Sequence, residues 1–113
     1  MNEFKEFQKH FLKYQKLFGL TGYKIYFKHE LLNAGYANIT VNQGDMVATI
    51  SLDNNISKED RKLRSVKENA KHEAIHLLLM KLENRAMDRY VRPEEIDEAV
   101  EELVFKLEDL INV

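Results

Sequence analysis

Apolar positions change period twice along this chain, and the changes divide it into three regions. From Asn2 to about Phe18 the residues Phe4, Phe7, Phe11, Tyr14 and Phe18 recur at three- and four-residue steps, which lines them along one face of a helix that Asn2 is placed to cap. The period then drops to two. Tyr23, Ile25 and Phe27 share a face in YKIYFKH, Ala37, Ile39 and Val41 in YANITV, and Met46, Ala48, Ile50 and Leu52 in MVATISL, the pattern of three half-buried strands. The turn-forming stretch NQGD (Asn42 to Asp45) predicts a hairpin between the second and third, and ELLNAG (Glu30 to Gly35) joins the first two, so the expected sheet is a small antiparallel meander. Helical spacing returns at Ser57, three residues ahead of Asp60, and runs to about Glu83. Pro93 opens a last helix reaching Asn112, with Ile96, Val100, Leu103, Leu107 and Leu110 or Ile111 on its expected buried side. The fold class is α+β, in one domain spanning 1–113.

Composition narrows the chemistry. A chain of 113 residues, 44% hydrophobic and 32% charged, is long enough to close one core. Its net charge of −2 supplies no cationic surplus for nucleic acid or an anionic membrane. Cysteine is absent, which excludes disulfides and thiolate zinc sites and leaves histidine and carboxylate as the strong ligands for a transition metal. The opening MNEFKEFQKHFLKY lacks the apolar stretch of a signal peptide, and no apolar run approaches the roughly 20 residues of a membrane span. The expected location is cytoplasmic.

The stretch with chemistry is KHEAIHLLLM, Lys71 to Met80. His72 and His76 stand one helical turn apart and about 40° round from each other, so two imidazoles can converge on one cation. Glu73 points about 100° away from His72, unsuited as a third ligand but able to reach a water beside the ion. That is the logic of HExxH: the histidines bind zinc, the ion lowers the pKa of its water to about 7, and the glutamate takes the proton as water attacks a polarised carbonyl. Ala74, Ile75 and Leu77 to Met80 make this half of the helix apolar around nearly its whole circumference, where unpaired imidazoles would be costly. His10 and His29 have no such companions, and read as structural or exposed.

A catalytic zinc takes three protein ligands. The HExxHxxGxxH continuation is closed, because Leu79 and Leu82 occupy its last two marked positions, and Glu83 lies about 10 Å along the axis from His76. The last helix offers Asp97, Glu98, Glu101 and Glu102. Periodicity sets Asp97 and Glu101 at the edge of the apolar stripe and turns Glu98 and Glu102 outward, leaving Glu101 ahead of Asp97.

The order of an aromatic helix, strands YANITV and MVATISLD, HEAIHLLL on a helix, RYV, and EAVEELVFKLEDLI resembles the small HExxH metallopeptidase-like proteins of bacteriophages and prophages, near the minimal gluzincin and SprT-like group. The resemblance covers most of the chain, and its specific parts are HExxH and the EAxEELVxxLE-like tail. It implies a zincin-like domain whose C-terminal helix closes the site. It also implies zinc as cofactor and Glu101 as third ligand, since gluzincins take a glutamate from a helix after the HExxH helix. The implied activity is hydrolysis of a peptide or protein substrate, with Glu73 as general base and later proton donor to the leaving amine. By the same analogy the substrate adds to an exposed sheet edge, here the SLDNN strand end (Ser51 to Asn55). The chain departs from SprT proteins in having no cysteine with which to build their zinc ribbon. Tyr90, in RYV, is the candidate oxyanion donor, because a phenol can help stabilise developing charge. The rival reading, from another class, is a non-catalytic, metal-stabilised phage assembly or host-interaction domain that keeps the fold.

Overall fold

The computed structural model describes residues 2–87 and 92–112. Helix α1, Glu3–Leu17, starts where expected: the Asn2 side chain accepts hydrogen bonds from the backbone N–H groups of Phe4 and Lys5 at 2.8 and 3.3 Å, satisfying amides that the first turn leaves unpaired. Its aromatic stripe is the centre of the main core. Phe7, Phe11 and Tyr14 are fully buried, and Phe7 and Phe11 meet the Phe27 ring edge-on at 6.3 and 5.7 Å, the arrangement that the aromatic quadrupole favours. The chain leaves the helix through Gly19 at φ +72°.

Strands β1 (Lys24–Glu30), β2 (Ala37–Asn42) and β3 (Val47–Asp53) form one sheet in the order β1-β3-β2. The β2–β3 hairpin is antiparallel, pairing Ile39 with Ile50, and its turn is fastened by the Asn42 side chain accepting from Asp45 N–H at 3.1 Å. The expected meander is corrected at β1, which pairs parallel to β3, Phe27 opposite Ile50. The sheet is therefore mixed. Burial explains the arrangement: Ala48, Ile50 and Leu52 are fully buried and Ser51, on the opposite face, is 4% exposed, so β3 takes the middle, where neighbours cover both of its edges. The 31–36 connection crosses the end of β3 and is pinned there. Tyr36 C=O accepts from Asp53 N–H at 2.8 Å and Glu30 C=O from Asn54 N–H at 3.1 Å. Because β3 is interior, the SLDNN end is not a free edge; the edges of the sheet are β1 and β2.

The long helix expected from Ser57 is two. Ser57 caps α2, Lys58–Leu63, as read from the sequence. Arg64 then adopts an extended conformation (φ −153°, ψ 119°), and Ser65 starts α3, Val66–Ala86, with a full capping box: Ser65 Oγ accepts from Glu68 N–H and the Glu68 carboxylate accepts from Ser65 N–H, both at 3.1 Å. Four residues, SVKE, thus terminate one helix and redirect the next. Helix α3 serves two cores. Ala70, Ala74 and Leu77 pack with α1 and the sheet, while Ile75 packs with Ile96, Val100 and Val104 of α4, Pro93–Leu110.

The buried row of α4 also departs from expectation. It runs Ile96, Val100, Val104, Glu108, whereas Leu103 and Leu110 are 43% and 74% exposed. Residues four apart advance about 40° round the helix at each step, so this row winds across α4 along an inclined contact with α3. The winding turns the Glu101 side inward. Among the described residues no helix is long and apolar enough to cross a membrane.

Replacing Ser65 by alanine should lower unfolding free energy by about 1 kcal/mol, the usual cost of losing a helix cap. Ser57→Ala should cost less in the same denaturant titration, since α2 buries no residue. Equal losses would remove the capping box from its place as the feature that fixes α3.

Candidate metal centre

His72 and His76 reach the same point from successive turns of α3. Their Nε2 atoms are 3.2 Å apart. Glu101 arrives from α4, with Oε1 at 2.5 Å from His76 Nε2 and Oε2 at 3.5 Å from His72 Nε2. One ligand atom from each of the three lies within 4.8 Å of the others. A tetrahedral zinc with bonds of about 2.0–2.2 Å holds its donors about 3.3–3.5 Å apart, so the two contacts of His72 already have that spacing. The remaining contact, His76 to Glu101, is a short hydrogen bond that keeps the carboxylate at the site. Two nitrogens and a carboxylate oxygen form a donor set suited to zinc, and the residues fit the ion.

The remaining acidic candidates go elsewhere. Asp97 and Glu98 are exposed, and Glu102 pairs with Lys106 at 2.8 Å on the surface. Tyr90 lies outside the described residues. His10 pairs with Glu6 at 3.4 Å and His29 stacks on Phe4 at 4.7 Å between ring centres, both away from the cluster.

Two residues that sequence reasoning passed over hold His72 in place. Glu108, 6% exposed, puts Oε1 at 3.1 Å from His72 Nδ1. Arg64 Nη2 lies at the same 3.1 Å from Nδ1, so an acceptor and a donor together hold that edge of the ring and turn Nε2 toward Glu101 and His76. Arg64 anchors Glu108 through a direct ion pair with Oε2, donates to Asn69 Oδ1 at 2.9 Å, and lies beneath Phe105, whose ring also meets His72 edge-on at 4.9 Å. Glu108 had a signal: it continues the row Ile96, Val100, Val104 at four-residue steps. Arg64 had none without the helix break that frees it.

Glu73 is 6% exposed, and among the described residues no hydrogen bond reaches its carboxyl. Burial, with the Glu101 charge second and Glu108 adding to it against the opposing pull of Arg64, pushes its pKa up to about 8. Burial also lowers His76, opposed by Glu101 and reinforced by His72. Both shifts describe groups withdrawn from water that still open onto space. A cavity of about 410 Å³ holds His72, Glu73, His76 and Glu101 on one side and Ala37, Asn38 and Ile39 of β2 on the other. A second, of about 250 Å³, shares Ala37, His72 and Glu73 and extends past Tyr36, Arg64 and Phe105. A cleft therefore runs along the β2 edge with Glu73 at its middle.

Glu108→Ala should destabilise the metal-free protein by about 2–3 kcal/mol in denaturant unfolding, somewhat below the figure for breaking a fully buried pair because Arg64 keeps some contact with water. Glu102→Ala, which removes a surface pair, should leave the midpoint unchanged. A neutral Glu108→Ala would mean that the ion pair is incidental to the fold.

In comparisons with known proteins, no family model, no curated protein and no solved structure matches this chain.

Proposed function

We propose that this chain is a zinc-dependent peptidase of zincin-like fold, acting in the cytoplasm on extended peptide segments. The observation that carries the proposal is Glu73: a buried carboxyl that no hydrogen bond reaches among the described residues, facing an open cavity beside a His–His–Glu ligand set. A structural helix residue in that position would be expected to have a partner.

His72, His76 and Glu101 would hold the ion. When bound, zinc supplies Lewis acidity, both to water and to the carbonyl of the scissile bond. The work of the chain's own residues follows from their positions. Glu108, braced by Arg64, fixes the ring of His72. Glu73 accepts a proton on its carboxylate from the attacking water and delivers it to the departing amine. A cation held by His72, His76 and Glu101 would oppose the burial and the Glu101 charge that favour protonated Glu73, leaving Glu73 available as the base. The β2 edge, from Ala37 to Ile39, supplies backbone groups on which an extended substrate can pair; its position along the cavity supports β2 rather than β3 as the docking strand.

Substitutions at the site and beside it test this reading. Glu73→Gln should retain zinc after purification without added metal and lose several orders of magnitude in hydrolysis of an unstructured protein; loss of the metal would make Glu73 a ligand or a packing residue instead. Glu101→Ala should weaken zinc affinity by at least about two orders of magnitude, beyond the roughly 10- to 100-fold typical of an outer-sphere partner such as Glu108 in Glu108→Gln, while Glu102→Ala and Asp97→Ala bind as the parent does. Equal affinities for Glu101→Ala and Glu102→Ala would disprove the ligand assignment. Stoichiometric zinc with no hydrolysis by the parent would favour a metal-stabilised binding domain.

A further inference from the structure

We propose that the larger cavity seats a lysine or arginine side chain of the substrate, with Glu83 as the carboxylate that meets it and Asp97 as a second acid that adds its charge. The inference rests on the peptidase reading and adds the substrate class. Glu83 lies two turns beyond His76 on α3 and lines the same cavity as the ligand cluster. Asp97 lies one turn before Glu101 on α4, and its charge acts on Glu83. Among the described residues neither has a basic partner. The nearby cations on α3, Lys81 and Arg85, line a different depression with Gln43 and Asn84.

A charge count shows why this pair is left over. A divalent ion at His72, His76 and Glu101 would be neutralised by Glu101 together with Glu73, and His72 already has Glu108 and Arg64. The Glu83–Asp97 pair contributes nothing to that balance. Two neighbouring carboxylates repel when both ionise, and burial, then Asp97, then Glu101 all push Glu83 above its ordinary range. An incoming ammonium or guanidinium group would relieve that repulsion.

The remaining walls suit the rest of such a side chain. Met80 and Ile39 line the cavity and give apolar surface for an aliphatic stem, Met80 adapting its shape through its flexible thioether. Independently of the two acids, the Glu73 carboxyl, without a partner among the described residues, 6% exposed and facing this cavity, marks the space as one that a ligand enters. Glu83 is about 10 Å from His76 along the α3 axis. At about 3.3 Å per extended residue, the basic residue falls within about three positions of the scissile bond.

The test uses zinc-loaded Glu73→Gln protein, which binds without turnover. The probes are fluorescent, unstructured decapeptides that differ only in carrying one lysine, one norleucine or one glutamate, read by anisotropy at low salt. The lysine peptide should bind at least about tenfold tighter than the norleucine peptide, and the glutamate peptide weakest. The preference should shrink as salt is raised. Adding Glu83→Gln and Asp97→Asn, which keep volume and hydrogen-bonding capacity, should abolish the lysine preference while zinc content and norleucine-peptide affinity stay unchanged. Equal affinity for lysine and norleucine, a preference that survives the double amide substitution, or no measurable binding of any peptide would each overturn the proposal. A lysine preference in a parent that hydrolyses nothing would overturn the peptidase reading and leave the cationic subsite standing; hydrolysis without a lysine preference would do the reverse.

Discussion

Two imidazoles withdrawn from water on one helix face must find partners, and the arrangement of α3 and α4 meets that requirement. Hydrogen-bonding groups buried without partners are costly. Here His76 is met by Glu101 and His72 by both Glu101 and Glu108. Glu108 is itself buried and needs a cation, which Arg64 supplies. The chain of contacts Arg64–Glu108–His72 ties the α2–α3 junction to the last helix. Each member explains the next, and the ligand cluster is the end of the series rather than a separate feature.

The packing around α3 makes that series possible. One side of the helix closes the main core with the aromatic residues of α1 and with β3, and another closes the smaller core with Ile96, Val100 and Val104. A helix held from two sides keeps successive turns in fixed register. The β2 edge lies across from the histidines because β3, the most buried strand, occupies the centre of the sheet and leaves β2 outermost. The same inward rotation of α4 that buries Val104 rather than Leu103 brings Glu101 to the histidines.

Much of this was legible in the residues themselves. Asn2, Ser57 and Pro93 mark helix starts by local chemistry, and the alternation in YANITV and MVATISL marks strands by which side chains face the core. HEAIH carries its geometry in its spacing, since one helical turn fixes the separation of two side chains wherever the helix lies. The Ser65 capping box was equally local, written as SVKE, but was masked by apolar periodicity that continues across the break. Glu108 was half legible, as the polar end of an otherwise apolar row.

Sequence alone therefore determined the α+β composition, the placement of most helix starts and strands, and the His72–Glu73–His76 constellation, because each depends on contacts within a few residues. Tertiary structure decided the parallel pairing of β1 with β3, the separation of Glu101 from Asp97 as neighbour of the histidines, and the recruitment of Arg64 and Glu108. Strand order depends on which strand has both faces covered. The partners of the histidines depend on the rotation of α4 against α3, which differs by only a few tens of degrees between the row containing Leu103 and the row containing Val104. Periodicity within one helix cannot fix that angle, since it is set by how the side chains of two helices interlock.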